Sequence, residues 1–151
     1  MFLIHGAYET NPDEMHQDGT IDHERSFELR RLNQKNKLMK AKLQFGYTVM
    51  TRMLGVPMLP IVHTNDVCKF EPVENSDTIK EGDIVFCEID HTIWTNLERR
   101  LERKFALQKV LHVYEEMNIR YFDIGFQGRY RNGWCQGKDI YGRLVEVIIG
   151  E

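Results

Sequence analysis

The sequence predicts a mainly β fold of the α+β class, in which a curled antiparallel sheet or partly open barrel follows one long N-terminal helix. Two observations predict it. A segment near the N terminus has the apolar spacing of a helix, and the chain after Gly46 consists of short runs rich in Val, Ile, Phe and Tyr, separated by Pro, Gly, Asn and Asp. Because no alternating helices separate these runs, we expect antiparallel strands.

The chain has 151 residues, of which 42% are apolar and 28% are charged. These values are typical of one globular domain with a sizeable core. No run approaches the roughly eighteen consecutive apolar residues of a membrane span, and residues 1–7 are neither basic nor long enough for a secretory signal. We therefore expect a cytoplasmic protein that does not bind membranes.

Residues 1–23 are expected to form a flexible acidic arm. The stretch 8–23 combines Pro, Gly, Asn and five acidic residues with little periodicity. His16 and His23 lie beside carboxylates, but their spacing matches no metal-ligand pattern. The three cysteines of the chain form no Cys-x-x-Cys pair, which argues against a disulfide framework and a zinc site. We predict reduced, mostly buried thiols, no metal and no cofactor.

Residues 24–45 are predicted to form an amphipathic basic helix that ends at Gly46. The apolar seam predicts packing on the domain's own sheet or, with Asn36 at a heptad a-like position, a short coiled coil. We favour packing on the sheet, because three heptads are the lower limit for a coiled coil. The seam residues follow alternating steps of three and four: Leu29, Leu32, Asn36, Met39 and Leu43.

Charge is unevenly distributed, although the net charge is only −3. Residues 9–28 have a local net charge of −6, whereas residues 29–65 contain seven basic residues and no acidic one. Such a basic segment is typical of a phosphate-facing surface or of a face for an acidic partner. The alternative is a solvated helix whose charge is offset by the acidic stretch. The candidate binding residues in this segment are Arg30, Arg31, Lys35 and Lys42.

The β domain is predicted to span residues 46–151. The segment 93–104 is an insertion between two strands, and its charge spacing suits a short charged helix or a long hairpin tip. Arg99 and Arg103 are its candidate binding residues. Turn residues precede several of the predicted strands, which are 47–53, 66–71, 83–90, 105–114, 119–124 and 140–148.

Three stretches in this region resemble the fold shared by type I signal peptidases and the self-cleaving domain of LexA-type repressors. The resemblance covers residues 47–149 and is greatest to small members from phages and mobile elements. It implies a signal-peptidase-like β domain. The stretches, in order, are Gly55-Val56-Pro57-Met58-Leu59-Pro60, which resembles the Gly-x-Ser-Met-x-Pro nucleophile turn; Gly82-Asp83-Ile84-Val85; and Phe105 to Val110 followed by Asn132-Gly133-Trp134 and Ile140-Tyr141-Gly142-Arg143.

The resemblance also implies that catalysis has been lost. In the family the turn presents a serine nucleophile, and a lysine or histidine on a neighbouring strand accepts its proton. Here Pro57 stands at the serine position, and Gln108 stands where relatives with histidine keep the base. Proline has no hydroxyl group, and glutamine takes up no proton near neutrality. Lys109 follows Gln108 directly, so on a strand it points to the opposite face.

We therefore predict a non-catalytic protein-binding module, a pseudoenzyme of phage or mobile-element origin that acts on a host factor in the host cytoplasm. Further candidate binding residues are Met58, in the former cleft, and Arg129, Arg131 and Trp134, in a Gly-rich loop. The first alternative is a nucleic-acid-binding regulator that uses the basic helix and this loop. The second is a serine-type peptidase with a displaced nucleophile at Thr51, Thr64 or Cys68. The partner's identity and the oligomeric state stay open.

Overall fold

The computed structural model describes residues 23–52, 65–126 and 130–149. The predicted mainly β fold with one long helix is confirmed. Within these ranges the chain forms helix α1 (His23–Gln44) and strands β1 (Val49–Arg52), β2 (Val67–Pro72), β3 (Ile84–Thr95), β4 (Glu98–Glu116), β5 (Ile119–Phe126), β6 (Tyr130–Gln136) and β7 (Ile140–Ile148), with short 3-10 helices at Ser76–Thr78 and Gly137–Asp139.

The strands belong to one antiparallel sheet in the order β1-β2-β7-β3-β4-β5-β6. Strand β3 also pairs with β6 at Asp90 and Trp134, so β3, β4, β5 and β6 form a partly closed ring. Gly133 permits this closure, because a Cβ atom there would lie 2.3 Å from the carbonyl oxygen of Asp90. A side chain at this position would push β6 away from β3.

From Ile84 to Cys87, strand β3 is buried on both of its faces, which explains the uninterrupted apolar run there. Ile84 and Phe86 join one core cluster, which also contains Met39 and Leu43 of α1. The alternate residues of β3, beginning with Val85, join a second cluster to which all four ring strands contribute. This second cluster fills the ring.

Helix α1 packs on the sheet through the predicted seam, in which Asn36, Met39 and Leu43 are buried. Its C terminus has a Schellman cap, since the Gly46 N–H donates to the Leu43 carbonyl at 3.0 Å and the Tyr47 N–H donates to the Lys42 carbonyl at 2.9 Å. Gly46 has φ +90°, a conformation that favours glycine. No helix within the described ranges is long and apolar enough to cross a membrane.

The structure decides between the two alternatives for the insertion at 93–104, which is the tip of a long β3–β4 hairpin. Thr95 pairs with Glu98, and the intervening Asn96 and Leu97 have φ values of 41° and 79°. Two consecutive positive φ angles are the signature of a type I′ turn, whose twist matches that of the flanking strands. The ladder therefore continues without interruption to the turn.

One part of the sequence interpretation is wrong: residues 130–136 form strand β6, not a Gly-rich loop. The glycine that suggests a loop, Gly133, serves close strand packing instead. Of the arm predicted at 1–23, residues 1–22 lie outside the described residues, as do the turn at 55–60 and the candidate residues Met58 and Arg129, whereas His23 begins α1.

Candidate functional site

Gln108, at the position that the resemblance assigns to the catalytic base, lies inside the ring in a buried polar cluster. Lys104 and Gln108 share one face of β4 because they are four residues apart on a strand. The Asn132 side chain joins them: the Lys104 ammonium donates to Asn132 Oδ1 at 2.7 Å, and Asn132 Nδ2 donates to Gln108 Oε1 at 2.9 Å. We call Lys104, Asn132 and Gln108 the ring cluster.

A β-bulge brings Asn132 into this cluster. Consecutive residues of β5, Ile124 and Gly125, pair with Gly133 and Arg131 of β6, so Asn132 is the extra residue of the bulge. Bulges of this kind redirect a side chain and are common beside functional sites. The bulge therefore converts an ordinary strand position into one that aims at β4.

The electrostatics of the ring cluster are those of a buried amine. Lys104 is only 4% exposed, and burial lowers its pKa to about 8, with a partial offset from Glu102. His91 lies on the facing strand with its own pKa lowered, first by burial and then by the charge of Lys104. Near pH 8 the Lys104 amine is neutral in about half of the molecules and can accept a proton.

The cysteines are poor candidates for a displaced nucleophile. Burial, together with the charge of Asp66, raises the pKa of the Cys68 thiol to about 11. Burial and the neighbouring Cys135 likewise raise the pKa of Cys87 well above its usual range. A buried thiol that stays protonated does not attack a substrate. All three cysteines are buried and free of disulfides, as the sequence predicts.

The outer part of the β3–β4 hairpin, residues 91–102, forms a projection that we call the ribbon. Neighbouring strands pair with β3 only as far as Asp90 and with β4 only from Lys109 onward, so both edges of the ribbon are open within the described structure. The ribbon exposes Trp94, which is 73% exposed, together with Leu97 and Leu101. Arg99 pairs with Trp94 across the ladder and shares its face.

Arg103, at the root of the ribbon, is bound within the chain. Its guanidinium donates to Asp139 at 3.0 Å and lies 3.7 Å from Glu88 and 3.6 Å from Asp90. Glu88 also accepts hydrogen bonds from Lys40 at 2.6 Å and from the Tyr141 hydroxyl at 2.7 Å. Burial alone would raise the pKa of Glu88, but these two hydrogen bonds and the nearby cations outweigh it and lower the pKa. Arg103 therefore belongs to the ion-pair network around Glu88, the carboxylate to which Lys40 of α1 also bonds.

The basic residues that the sequence singled out on α1 remain on its surface. Arg30, Arg31, Lys35 and Lys42 are exposed, on the side of the helix away from the buried seam. Arg131 and Trp134 do come together, with the guanidinium 4.8 Å from the centre of the indole ring. Arg131 also pairs with Asp123 at 2.9 Å, and this carboxylate reduces the positive charge available to a phosphate.

Sequence reasoning missed the ring cluster and the apolar side chains of the ribbon. The alternation of β4 places Lys104 and Gln108 on one face, and that signal was available from the sequence. The bulge at Asn132 and the closure of the ring gave no sequence signal. Within the described ranges, no group of three or more His, Cys, Asp or Glu side chains is arranged to hold a metal ion.

The chain matches no protein-family model, no curated protein and no solved structure. The likeness to signal-peptidase-like domains therefore depends on the sequence motifs alone and stays a prediction.

Proposed function

We propose that this protein is a non-catalytic module that binds another protein through the ribbon and the exposed face of α1. The observation that carries the proposal is the open-edged ribbon with Trp94, Leu97 and Leu101 in solvent beside Arg99. A two-stranded hairpin without neighbours is only marginally stable in water. Tryptophan and arginine are enriched among the residues that dominate binding energy at protein interfaces.

The buried position of Gln108 supports the non-catalytic part of the proposal. Its side-chain oxygen already accepts a hydrogen bond from Asn132, and an amide does not act as a base near neutrality. The motif resemblance further suggests a phage or mobile-element origin and a host protein as the partner. This origin follows from the resemblance only.

A second candidate function is hydrolysis with Lys104 as a displaced base, and the lowered pKa of Lys104 favours it. A buried amine that is neutral near pH 8 is able to take a proton from a hydroxyl nucleophile. Labelling by a fluorophosphonate probe that rises between pH 7 and 9 and is lost in Lys104→Met would favour this candidate. Labelling that does not change in Lys104→Met would argue against it.

Site-specific photo-cross-linking tests the binding proposal directly. The photoreactive residue p-benzoylphenylalanine replaces Trp94 on the ribbon or, as the matched control, Met117 at the exposed tip of the β4–β5 hairpin. In cells of the native host, we expect a discrete cross-linked protein from position 94 and none from position 117. The substitution Leu101→Ala should weaken the position-94 cross-link, because Leu101 shares that face of the ribbon.

Two results would contradict the proposal. Identical cross-links from both positions would show that the ribbon has no preferred partner. A position-94 adduct that nuclease removes would instead identify a nucleic-acid-binding regulator, the first alternative from the sequence.

A further inference from the structure

Helix α1 carries a second seam on its outward face, in addition to the one that packs on the sheet. Lys35, Leu38, Lys42 and Phe45 follow at steps of three, four and three residues, and Arg31 lies four residues before them. All are exposed, with Leu38 at 55% and Phe45 at 83%. Basic and apolar side chains therefore alternate along one line of the helix, which we call the outer stripe.

Phe45 belongs to this stripe although it follows the last helical residue. Its N–H donates to the Ala41 carbonyl at 3.1 Å, which is the hydrogen bond of a continuing α-helix. The Schellman cap at Gly46 then fixes the end of the helix. The position of the Phe45 side chain relative to Leu38 and Lys42 is therefore set by helical geometry.

Steps of three and four are the spacing by which one helix packs along another. Leu38 and Phe45 are apolar contacts at such a seam, and Lys35 and Lys42 are the charges beside them. No acidic residue occurs between 29 and 65, so Lys35 and Lys42 have no carboxylate one turn away along the helix. Lys40, on the flank of α1 next to the sheet, is already paired with Glu88 and lies outside the stripe.

We propose that the outer stripe binds an acidic amphipathic helix of the partner protein, with apolar residues against Leu38 and Phe45 and carboxylates against Lys35 and Lys42. The inference rests on the proposed protein-binding function and specifies the chemistry of the partner. The phosphates of a nucleic acid would pair with the basic side chains of the stripe but would leave Leu38 and Phe45 without apolar contacts. A symmetric dimer through this stripe would bring one basic stripe against another, and like charges repel.

A synthetic peptide tests the proposal without knowledge of the natural partner. The probe is a fluorescein-labelled peptide of three heptads with Leu at positions a and d and Glu at e and g, and its control is a scrambled peptide of the same composition. Fluorescence anisotropy with the full-length protein measures the binding. We expect micromolar affinity for the heptad peptide and at least about tenfold weaker binding for the scrambled one.

Three double variants separate the effect of charge from that of apolar contact. Lys35→Glu with Lys42→Glu should weaken binding at least about tenfold, whereas Lys80→Glu with Lys138→Glu changes the net charge equally at exposed sites elsewhere and should have less than about a twofold effect. Leu38→Ala with Phe45→Ala should also weaken binding about tenfold. Melting temperatures near that of the original protein confirm that each variant is folded.

Several outcomes would overturn the inference. Equal binding of the scrambled peptide, or of the Leu38→Ala/Phe45→Ala variant, would reduce the stripe to a non-specific basic patch. Tighter binding of a single-stranded DNA of about 21 nucleotides, with competition against the peptide, would identify a nucleic-acid surface. If the heptad peptide fails to bind while position 94 still forms its discrete cross-link, only the helix inference is wrong and the proposed function stands.

Discussion

The replacement of Lys104 with methionine should change how the stability of the protein depends on pH. The folded-state pKa of Lys104 is about 8, and an unfolded lysine has a pKa of about 10.4. The unfolded chain therefore binds this proton more tightly than the folded one. The fold is destabilised by the cost of burying the charged amine, and this cost is at its full value well below pH 8. This cost shrinks as the pH rises from about 8 to 10.4, and it is absent above that range.

The size of the effect follows from the two pKa values, because a difference of this size corresponds to about 3 kcal/mol. Methionine removes the charge but also removes the hydrogen bond to Asn132 Oδ1, which costs about 1–3 kcal/mol. These two effects oppose each other at pH 7, so the variant should be as stable as the original protein or up to about 2 kcal/mol more stable. At about pH 10.5 only the loss of the hydrogen bond remains, so the variant should lose about 3 kcal/mol relative to the original protein between the two pH values.

Urea denaturation from pH 7 to 10.5, followed by the fluorescence of Trp94 and Trp134, measures this difference. For a slope of about 2 kcal/mol per molar urea, the relative midpoint should move by about 1.5 M. Other groups that titrate in this range, such as Cys68, affect both proteins alike and cancel in the comparison. Lys138→Met, at an exposed position, is the control and should change little. A Lys104→Met difference that does not vary with pH would refute the assignment of a buried amine.

Two further predictions concern the ring and the ribbon. Leu97→Gly should raise the free energy of unfolding by about 1 kcal/mol, because leucine is strained at φ 79°. Thermal denaturation measures this change. The control is Leu101→Gly, at a regular strand position, which should lower the free energy of unfolding. Gly133→Ala should lower the free energy of unfolding by more than about 3 kcal/mol, because its methyl group meets the Asp90 carbonyl oxygen. Faster hydrogen exchange at the Trp134 amide would show the ring opening, and unchanged exchange would show that the ring tolerates the methyl group.

The strands that could be predicted from sequence are those marked by an apolar run and a turn residue that lie within a few residues of each other. In β3 the run from Ile84 to Cys87 is apolar because one core lies on each side, and Gly82 precedes it as a turn residue. In β6 the same kind of reasoning fails. Gly133 and Asn132 have the composition of a turn, but the glycine makes room for the backbone of β3 and the asparagine occupies a bulge. Both causes are contacts distant in sequence.

The candidate site divides in the same way. The exposure of the basic side chains of α1 was predictable, because helical spacing alone separates Lys35 and Lys42 from the buried seam. Lys104 was not, since in sequence it is the last cation of a charged run that includes Arg99 and Arg103. Its burial depends on the closure of the ring by β6, which brings Asn132 within hydrogen-bond distance. Cations of one sequence run therefore occupy three different environments: Arg99 lies in solvent, Arg103 in an ion-pair network and Lys104 in the core.

The β3–β4 hairpin has one part that is paired with neighbouring strands and one part, the ribbon, that projects beyond them. Strand β3 pairs with β6 or β7 only up to Asp90 and β4 pairs with β5 only from Lys109 onward, whereas the ribbon pairs with no further strand of the described residues. Exposed ribbon residues such as Trp94 and Leu97 can therefore change to suit a partner at little cost to the ring, whereas the buried His91 cannot. Glu88 bonds to Lys40 of α1 and lies beside Arg103 at the root of the ribbon. By strand alternation Trp94 lies on the same face of the hairpin as Glu88, which is the face that contacts α1 through Lys40.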